Sequence, residues 1–337
     1  MKAVAYRHAR PIDQTDSLLD VTLPDPIPTG RDLLVKVEAV AVNPVDTKIR
    51  LGVDPQGADK VLGWDAAGTV VAVGPEASLF KPGDAVYYAG AIDRQGSNAE
   101  LQPVDERIVG RKPASLSFAE AAALPLTSIT AWELLFDRLG LRLGKPAGAG
   151  SLLIVGGAGG VGSIATQLAR RLTGLEVIAT ASTPESQAWC RQMGAHHVIN
   201  HREPLVAQIH AIVPGGVNYV LALTQTEQHF AELVEALAPQ GAIACIDDPK
   251  QPLNLQALKR KSGSFHWEFM FTRSLFHTDD MIAQHYLLNE VADLIDAGLL
   301  RTTFNGDLGK INAANLRQAH ARIESGRSVG KLVLSGF

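Results

Sequence analysis

Three glycines in the middle of the chain have the spacing of a phosphate-binding turn. Gly157, Gly159 and Gly162 fit the pattern G-x-G-x-x-G, in which missing side chains allow a tight turn, a close approach of backbone to a pyrophosphate, and close helix-to-strand packing. The free N–H groups of a helix that starts near Gly160 would then bind the phosphates. The pattern indicates a dinucleotide site with contacts from Gly157, Ala158, Gly159, Gly160, Val161 and Gly162.

The end of the next predicted strand indicates which nicotinamide cofactor is bound. In NAD-specific sites an Asp or Glu ends this strand and binds the ribose hydroxyls. Here the strand ends in Thr180-Ala181-Ser182-Thr183, whose small neutral side chains leave room for a 2′-phosphate. Glu185 is the counter-evidence, but Pro184 directs it into the first turn of the next helix, where its charge suits the dipole. We therefore expect NADPH in preference to NADH.

The glycine turn is positioned by a strand before it and a helix after it. Leu152 to Val155 is an unbroken apolar run, and apolar residues recur at helical spacing from Val161 to Ala169. Strand and helix patterns then alternate over Glu176 to Thr180, Pro184 to Met193, His197 to Asn200, Leu205 to Val213, Val217 to Leu223, Glu227 to Ala238 and Ala242 to Asp247. This alternation predicts βαβ units and a parallel, doubly wound sheet.

The first 110 residues or so show short strand patterns instead, separated by turns that contain proline and glycine. The strand patterns are Lys2 to Tyr6, Leu18 to Leu23, Leu33 to Val42, Gly68 to Val73, Asp84 to Ala89 and Ala99 to Val109. They predict an all-β barrel or sandwich. A capping box at Ser117 to Glu120 then starts a helix, Pro125 interrupts it, and Thr127-Ser128 can cap a second helix.

The last 90 residues interrupt the alternation. Phe265, Trp267, Phe269 and Phe271 are apolar at every second position, which is typical of a strand with one apolar face. Helices are predicted over Asp280 to Ala297 and Asn312 to Ser325, and a final strand over Lys331 to Leu334. We expect this tail to return to the first domain, which gives one domain over 1–125 with 272–337 and a second over 126–271.

Composition limits the classes of function. The 337 residues carry a net charge of −4 and are 46% hydrophobic, which argues against nucleic acid or an anionic membrane as the main partner. No apolar run reaches the ~18 residues of a membrane span, and the first residues lack the apolar core of a signal peptide. The two cysteines exclude a disulfide framework and an all-cysteine metal site. A cytoplasmic protein is expected.

Several segments, taken in order, resemble one family. They are Ala41 to Lys48, Gly63 to Gly68, Phe80 to Asp84, Ala121 to Leu126 and the glycine turn. Together they are similar to the medium-chain dehydrogenase/reductase superfamily, in its zinc-lacking, quinone-oxidoreductase-like branch, which includes bacterial proteins named as a zinc-binding alcohol dehydrogenase family. The resemblance implies an α/β fold with a GroES-like β-rich catalytic domain and a doubly wound parallel Rossmann domain.

The resemblance also locates a possible metal site. In zinc-dependent relatives the ligands stand at the positions that match Asn43 and Trp64 and at a position near Leu126. An amide oxygen is a weak ligand and an indole N–H is only a donor. We therefore predict no zinc.

The resemblance implies roles for individual residues. It places Asn43 and Thr130 beside the nicotinamide, with Asp46 and Lys48 following Asn43 on the same loop, and these four are the catalytic candidates. The further residues expected to contact the cofactor are Ser182, His201, Arg202, Leu223, Ile246 and Arg327. Plainer roles stay open, since Asn43 and Asp46 can each cap a turn or a helix.

The function that these observations favour is the NADPH-dependent reduction of quinones or α,β-unsaturated carbonyls by hydride transfer without zinc. An alcohol dehydrogenase of the zinc type and a non-catalytic, NADPH-binding redox sensor are the alternatives. A small carbonyl or quinone substrate is expected. A homodimer is expected through the strand at 264–271, because an apolar edge must be covered.

Overall fold

Strands and helices follow one another differently in the two halves of the chain. The computed structural model describes residues 1–146 and 148–337. Its strands are β1 (Lys2–Tyr6), β2 (Leu19–Thr22), β3 (Asp32–Ala41), β4 (Lys60–Val61), β5 (Asp65–Val73), β6 (Ala85–Tyr88), β7 (Leu101–Asp105), β8 (Val109–Arg111), β9 (Ser151–Val155), β10 (Glu176–Thr180), β11 (His197–Ile199), β12 (Val217–Ala222), β13 (Leu237–Cys245), β14 (Ser264–Trp267), β15 (Phe304–Asp307) and β16 (Lys331–Ser335).

The helices are concentrated after residue 117. They are α1 (Pro44–Gly52), α2 (Phe118–Ala122), α3 (Pro125–Trp132), α4 (Gly160–Leu172), α5 (Pro184–Gln192), α6 (Leu205–Ile212), α7 (Thr226–Ala236), α8 (Thr272–Leu275), α9 (Ala283–Asp296) and α10 (Ala313–Glu324). A π-helical stretch, Glu133–Arg138, continues α3. Within the described residues, no helix has both the length and the apolar character needed to cross a membrane.

The chain divides into two units. Unit 1 comprises Met1–Ile129 and Phe271–Phe337, and unit 2 comprises Thr130–Met270. Unit 1 contains a seven-stranded sheet in the order β15-β16-β3-β5-β6-β8, in which β7 also pairs with β3 over residues 32–36, and a small sheet in the order β2-β1-β4.

Unit 2 is built on a six-stranded parallel sheet in the order β11-β10-β9-β12-β13-β14. The order reverses at β9, the strand that leads into the glycine turn, as in a doubly wound fold. Its inner strands are apolar, as expected for a parallel sheet that is covered on both faces; β9, for example, is buried along its whole length. The expected α/β fold is confirmed.

The C-terminal tail completes the antiparallel sheet of unit 1. β16 pairs with β3 in antiparallel register, with Val333 opposite Ala41, and β15 then pairs with β16. The expectation that the tail returns to the β-rich half is confirmed.

Three local expectations were wrong. Residues 44–52 form α1 within the region expected to be all-β, because Pro44 occupies the first helical turn and Asp46 accepts a hydrogen bond from the N–H of Asn43. Thr127 and Ser128 lie inside α3 and do not cap it, since the helix starts at Pro125. The strand expected over 264–271 ends at Trp267.

Candidate functional site

The glycine turn of unit 2 requires glycine at three positions for steric reasons. Gly156 has a φ of +83°, which disfavours a side chain. A Cβ on Gly157 would lie 2.7 Å from the Cβ of Ala179, and one on Gly162 would lie 2.3 Å from the carbonyl oxygen of Gly156. These contacts bring α4 close to β9 and β10.

Gly159 is different, because space remains beside it. A Cβ there would meet only the carbonyl oxygen of Gly156, at an ordinary 3.5 Å. Gly159 is the N-cap of α4 and offers no side-chain cap to the first turn, while Gly159, Gly160 and Val161 are each partly accessible. A helix start of this kind binds an anion through its backbone N–H groups, so the turn fits the pyrophosphate of a dinucleotide.

The end of β10 holds the glycine turn in place. The hydroxyl of Thr180 accepts a hydrogen bond from the N–H of Gly156 at 3.0 Å, and the Thr180 carbonyl accepts from the N–H of Gly157 at 3.1 Å. Sequence reasoning did not identify this role, because the position of Thr180 opposite the turn depends on the pairing of β9 with β10.

Beyond Thr180 the chain carries no acidic group at the strand end. Ser182 is partly exposed, and Thr183 caps α5 by accepting a hydrogen bond from the N–H of Ser186. Glu185 lies in the first turn of α5, as expected. The position that binds ribose hydroxyls in NAD-specific folds is therefore occupied by small neutral side chains.

Other predicted cofactor contacts lie at the same edge of the parallel sheet. Leu223 and Ile246 follow directly after β12 and β13, and His201 and Arg202 follow shortly after β11. Because these strands are parallel, the residues that follow them share the carboxyl edge with the glycine turn. Arg327, in contrast, belongs to unit 1, in the segment between α10 and β16.

A buried polar cluster in unit 1 surrounds Asn43. Its Nδ2 donates to Oδ2 of Asp65 at 2.8 Å, and the Nζ of Lys331 donates to both the Oδ1 of Asn43 and, at 2.8 Å, the same carboxylate oxygen of Asp65. The N–H of Leu126 donates to the other Asp65 oxygen at 2.7 Å. Asn43, Asp65 and Lys331 are 1%, 0% and 4% exposed, so they form a buried ion pair bridged by an amide.

Asp46 is the second carboxyl group of this cluster. Its Oδ2 accepts from the N–H of Asn43 at 2.7 Å, and its side chain is fully buried. Burial raises the pKa of Asp46 to about 7, aided by the nearby charge of Asp65 and opposed by backbone hydrogen bonds and by Lys331. Asp46 therefore retains its proton to a higher pH than an exposed aspartate does.

The four catalytic candidates are not equivalent in the structure. Asn43 and Asp46 belong to one hydrogen-bonded cluster at the start of α1, whereas Lys48 is exposed on the same helix. Thr130 is buried in α3 and belongs to unit 2. Their catalytic roles stay predictions.

Asp65 and Lys331 were missed by sequence reasoning. Asp65 lies within the Gly63 to Gly68 segment that carries the family resemblance, so a signal for it existed. Lys331 is 288 residues from Asn43, and nothing in the sequence indicates that β16 brings it there.

The residues of the expected metal position do not fit zinc. The amide oxygen of Asn43 accepts a hydrogen bond from the Lys331 ammonium group, and Trp64 is buried with its indole N–H donating to the carbonyl of Ala91 at 3.2 Å. Neither side chain offers a good ligand, and a fixed cation beside them opposes a second one. Over residues 1–146 and 148–337, no group of three His, Cys, Asp or Glu side chains is arranged to hold a metal ion.

Two family models match the chain. The alcohol dehydrogenase GroES-like domain matches residues 29–131, and the zinc-binding dehydrogenase model matches residues 193–334. A zinc-type alcohol dehydrogenase-like protein of Staphylococcus aureus (strain COL) is 45% identical over 311 residues, which is 92% of each chain. A 2-methylene-furan-3-one reductase of Solanum lycopersicum is 39% identical over 60% of this chain and 52% of its own length.

Solved structures agree over the whole chain. A protein of Rhizobium etli CFN 42, provisionally named a zinc-dependent alcohol dehydrogenase, is 55% identical with a TM-score of 0.96 and covers 100% of this chain and 98% of its own. A mycobacterial protein in complex with NADPH is 27% identical with a TM-score of 0.85, and the quinone oxidoreductase of Coxiella burnetii is 25% identical with a TM-score of 0.82; each match covers 99% of both chains.

Proposed function

Because the chain belongs to the medium-chain dehydrogenase/reductase superfamily and is an oxidoreductase of that group, we propose that it uses NADPH to reduce quinones or α,β-unsaturated carbonyls without zinc. The observation that carries this proposal is the ammonium group of Lys331 in contact with both Asn43 and Asp65. Asn43, which the resemblance places at a metal-ligand position of zinc-dependent relatives, is an amide that here accepts a hydrogen bond from a side-chain cation.

The absence of a Lewis acid from the proposed reaction restricts its substrates. Hydride delivery to a carbonyl compound leaves negative charge on oxygen, which hydrogen bonds alone must then stabilise. Quinones and enones spread that charge over a conjugated framework and are reduced more easily than simple ketones. The tomato furanone reductase and the Coxiella quinone oxidoreductase support this choice of substrate class.

The cofactor side of the proposal rests on unit 2. The N–H groups at the start of α4 would bind the pyrophosphate, and the space beyond Ser182 would accept a 2′-phosphate. When bound, NADPH supplies the hydride. Relatives of equal identity (27%) include a mycobacterial protein in complex with NADPH and an NAD-dependent alcohol dehydrogenase, so the choice of NADPH rests on the neutral side chains that follow β10.

The polar cluster of unit 1 has a positioning role in this proposal. Lys331 and Asp65 fix the side-chain amide of Asn43, while Asp46 fixes its backbone. Because Asn43 and Asp46 are almost fully buried, they set the shape of the loop before α1. The exposed Lys48 is the candidate for contact with a substrate oxygen.

The deciding experiment is a substrate panel followed at 340 nm. The purified protein is supplied with NADPH or NADH and a set of quinones, enals and enones, and in parallel with NADP⁺ and simple alcohols, and its zinc content is measured. We expect NADPH oxidation with at least one quinone or enone, no effect of chelators, and zinc well below one per chain. One tightly bound zinc per chain, or turnover with alcohols alone, would contradict the proposal.

The same substrate panel also tests the alternative of a non-catalytic, NADPH-binding redox sensor. Tight NADPH binding with no oxidation of NADPH by any acceptor would favour a non-catalytic sensor. The names of the staphylococcal and rhizobial relatives favour the alcohol dehydrogenase alternative, which the zinc measurement and the alcohol arm address directly.

A further inference from the structure

A pair of histidines lies beside the strand end where the adenosine ribose is expected. β10 and β11 pair in parallel with Thr180 opposite Ile199, and the N–H of Ala181 donates to the Ile199 carbonyl at 2.9 Å. The two segments therefore leave the sheet side by side, with Ser182 on one and His201 on the other.

His201 has a second histidine behind it. Its ring is partly exposed, and the ring centroid lies 6.5 Å from that of His229, which is 3% exposed on α7. An imidazole is the side chain whose charge changes near neutral pH. The partly exposed ring of His201 at a predicted anion site makes the charge of that site depend on pH.

NADPH and NADH differ at this place in a single group. NADPH carries a 2′-phosphate, which is a dianion above its second pKa of about 6, whereas NADH carries a neutral hydroxyl. A protonated imidazole beside the phosphate makes a charge-assisted hydrogen bond, which is stronger than one between neutral groups. Beside the hydroxyl the same proton brings no comparable gain.

We propose that His201, backed by His229, makes the discrimination of this site between NADPH and NADH depend on pH. The proposal rests on the NADPH-dependent function proposed above and extends it by naming a proton-linked selector. Binding of the 2′-phosphate takes up a proton on His201, so NADPH is favoured most strongly in mildly acidic solution.

The charged groups around His201 are consistent with this role. Arg202 is adjacent and permanently charged, so it attracts the phosphate equally at every pH.

The acidic side chains nearby have partners of their own or lie on neighbouring elements. Glu203 accepts a hydrogen bond from the Nδ2 of Asn200 at 2.8 Å. Glu232 accepts from the N–H of Leu205 at 2.8 Å and lies 3.9 Å from the Nδ1 of His229. Glu185 lies in the first turn of α5, and Asp247 and Asp248 follow β13 at the same edge of the sheet.

These surroundings favour the neutral form of His201 in the free protein. Burial, and then the charges of His229 and Arg202, lower the pKa of His201. A phosphate dianion arriving beside the ring opposes all three effects and raises that pKa, because an opposite charge favours the protonated form. A group whose pKa rises on binding takes up a proton when the ligand binds.

The experiment measures dissociation constants of NADPH and NADH between about pH 6.5 and 8.5, where the phosphate is mainly dianionic. For the unaltered protein we expect the ratio of the NADH constant to the NADPH constant to fall roughly tenfold over this range, as for one proton whose pKa rises by about one on binding. Calorimetry in two buffers of different ionisation enthalpy should show uptake of up to about one proton near neutral pH with NADPH and none with NADH.

Variants separate His201 from other causes. His201→Asn should make the ratio nearly independent of pH and abolish the proton uptake. His229→Gln removes a neighbour that lowers the pKa of His201, so the pH midpoint should move upward. His210→Asn, at an exposed position on α6, is the matched control and should behave as the unaltered protein does.

The outcomes distinguish the two proposals. Tight NADPH binding with a flat ratio, or a slope that survives in His201→Asn, would overturn the selector and leave the proposed function intact. If NADPH fails to bind across the pH range, both proposals fall.

Discussion

Gly159 and Gly162 both belong to the glycine turn, but the space available for a side chain differs between the two positions. Backbone atoms of the turn leave no room for a side chain at Gly162, because the nearest of them would lie 2.3 Å from an ideal Cβ. Gly159 meets no such obstacle. Packing within the turn therefore does not require glycine at this position, whereas the proposed phosphate site would require it.

We therefore expect alanine to lower the stability of the protein at position 162 and the affinity for NADPH at position 159. Gly162→Ala should lower the melting temperature by several degrees, because α4 must move away from β9 to admit the methyl group, and ~2 kcal/mol of such strain shifts the melting temperature of a domain of this size by that amount. Gly159→Ala should melt normally yet bind NADPH at least tenfold more weakly. Thermal unfolding and cofactor titration on both variants check this, and equal losses of stability would contradict it.

Asp46 predicts a pH dependence of stability. Burial raises its pKa to about 7 in the folded protein, above the ~4 of an unfolded chain. A carboxyl group with a raised folded pKa disfavours folding once it must ionise, so this penalty is absent below pH ~4 and grows until pH ~7. Asp46→Asn imitates the protonated form and should therefore be more stable than the unaltered protein at pH 8, by up to about 4 kcal/mol, and nearly equal at pH 4.

Asp105 provides a control, because its pKa is lowered whereas that of Asp46 is raised. Burial raises the pKa of Asp105, but hydrogen bonds from Arg107 outweigh it and leave that pKa lowered. Asp105→Asn should destabilise the protein at pH 8, since it removes an acceptor that is best when ionised. Urea unfolding at both pH values measures each effect, and a loss of stability in Asp46→Asn at pH 8 would refute the assignment.

At the scale of elements, β14 is an edge strand with aromatic side chains on it. It pairs only with β13 in the sheet of the described chain. Phe265 packs against Phe230 of the core at a centroid distance of 6.1 Å, while Trp267 is 55% exposed. An exposed edge of this kind is a template for pairing with a second chain.

We therefore propose that the protein dimerises along β14, over a shorter segment than the eight residues expected from sequence. Trp267→Lys should shift the protein to a monomer in light scattering, because a charge on the edge opposes pairing. Phe276→Lys, at a 70% exposed aromatic in unit 1, is the control and should leave the dimer unchanged. A dimer that persists in Trp267→Lys would place the interface elsewhere.

The helix α1 shows how an element positions site residues without a clear pattern in the sequence. The helix has only nine residues, which is too short for a clear repeat of apolar positions in the sequence. Pro44 and Asp46 start it, and the fully buried Arg50 anchors its last turn through Glu324 on α10. The prediction of an all-β region failed here because tertiary contacts, more than propensity, stabilise short helices.

At the scale of the whole molecule, the sequence by itself determined what depends on local order along the chain. The glycine turn, the alternation of strands and helices around it, and the lack of an acid after β10 are all local features, and each follows from steric or charge rules that act within a few residues. The return of the tail to the first domain was also expected, because the β-rich N-terminal half otherwise lacks helical cover.

Only the tertiary structure decided which distant side chains meet. Lys331 reaches Asn43 and Asp65 because β16 pairs with β3, and His229 on α7 lies against the ring of His201, which follows β11. Pairings between residues so far apart leave no periodic trace in the sequence, since any strand of suitable pattern satisfies the backbone equally well. The charge balance around Asn43 and the second histidine near the ribose position are therefore properties of the fold.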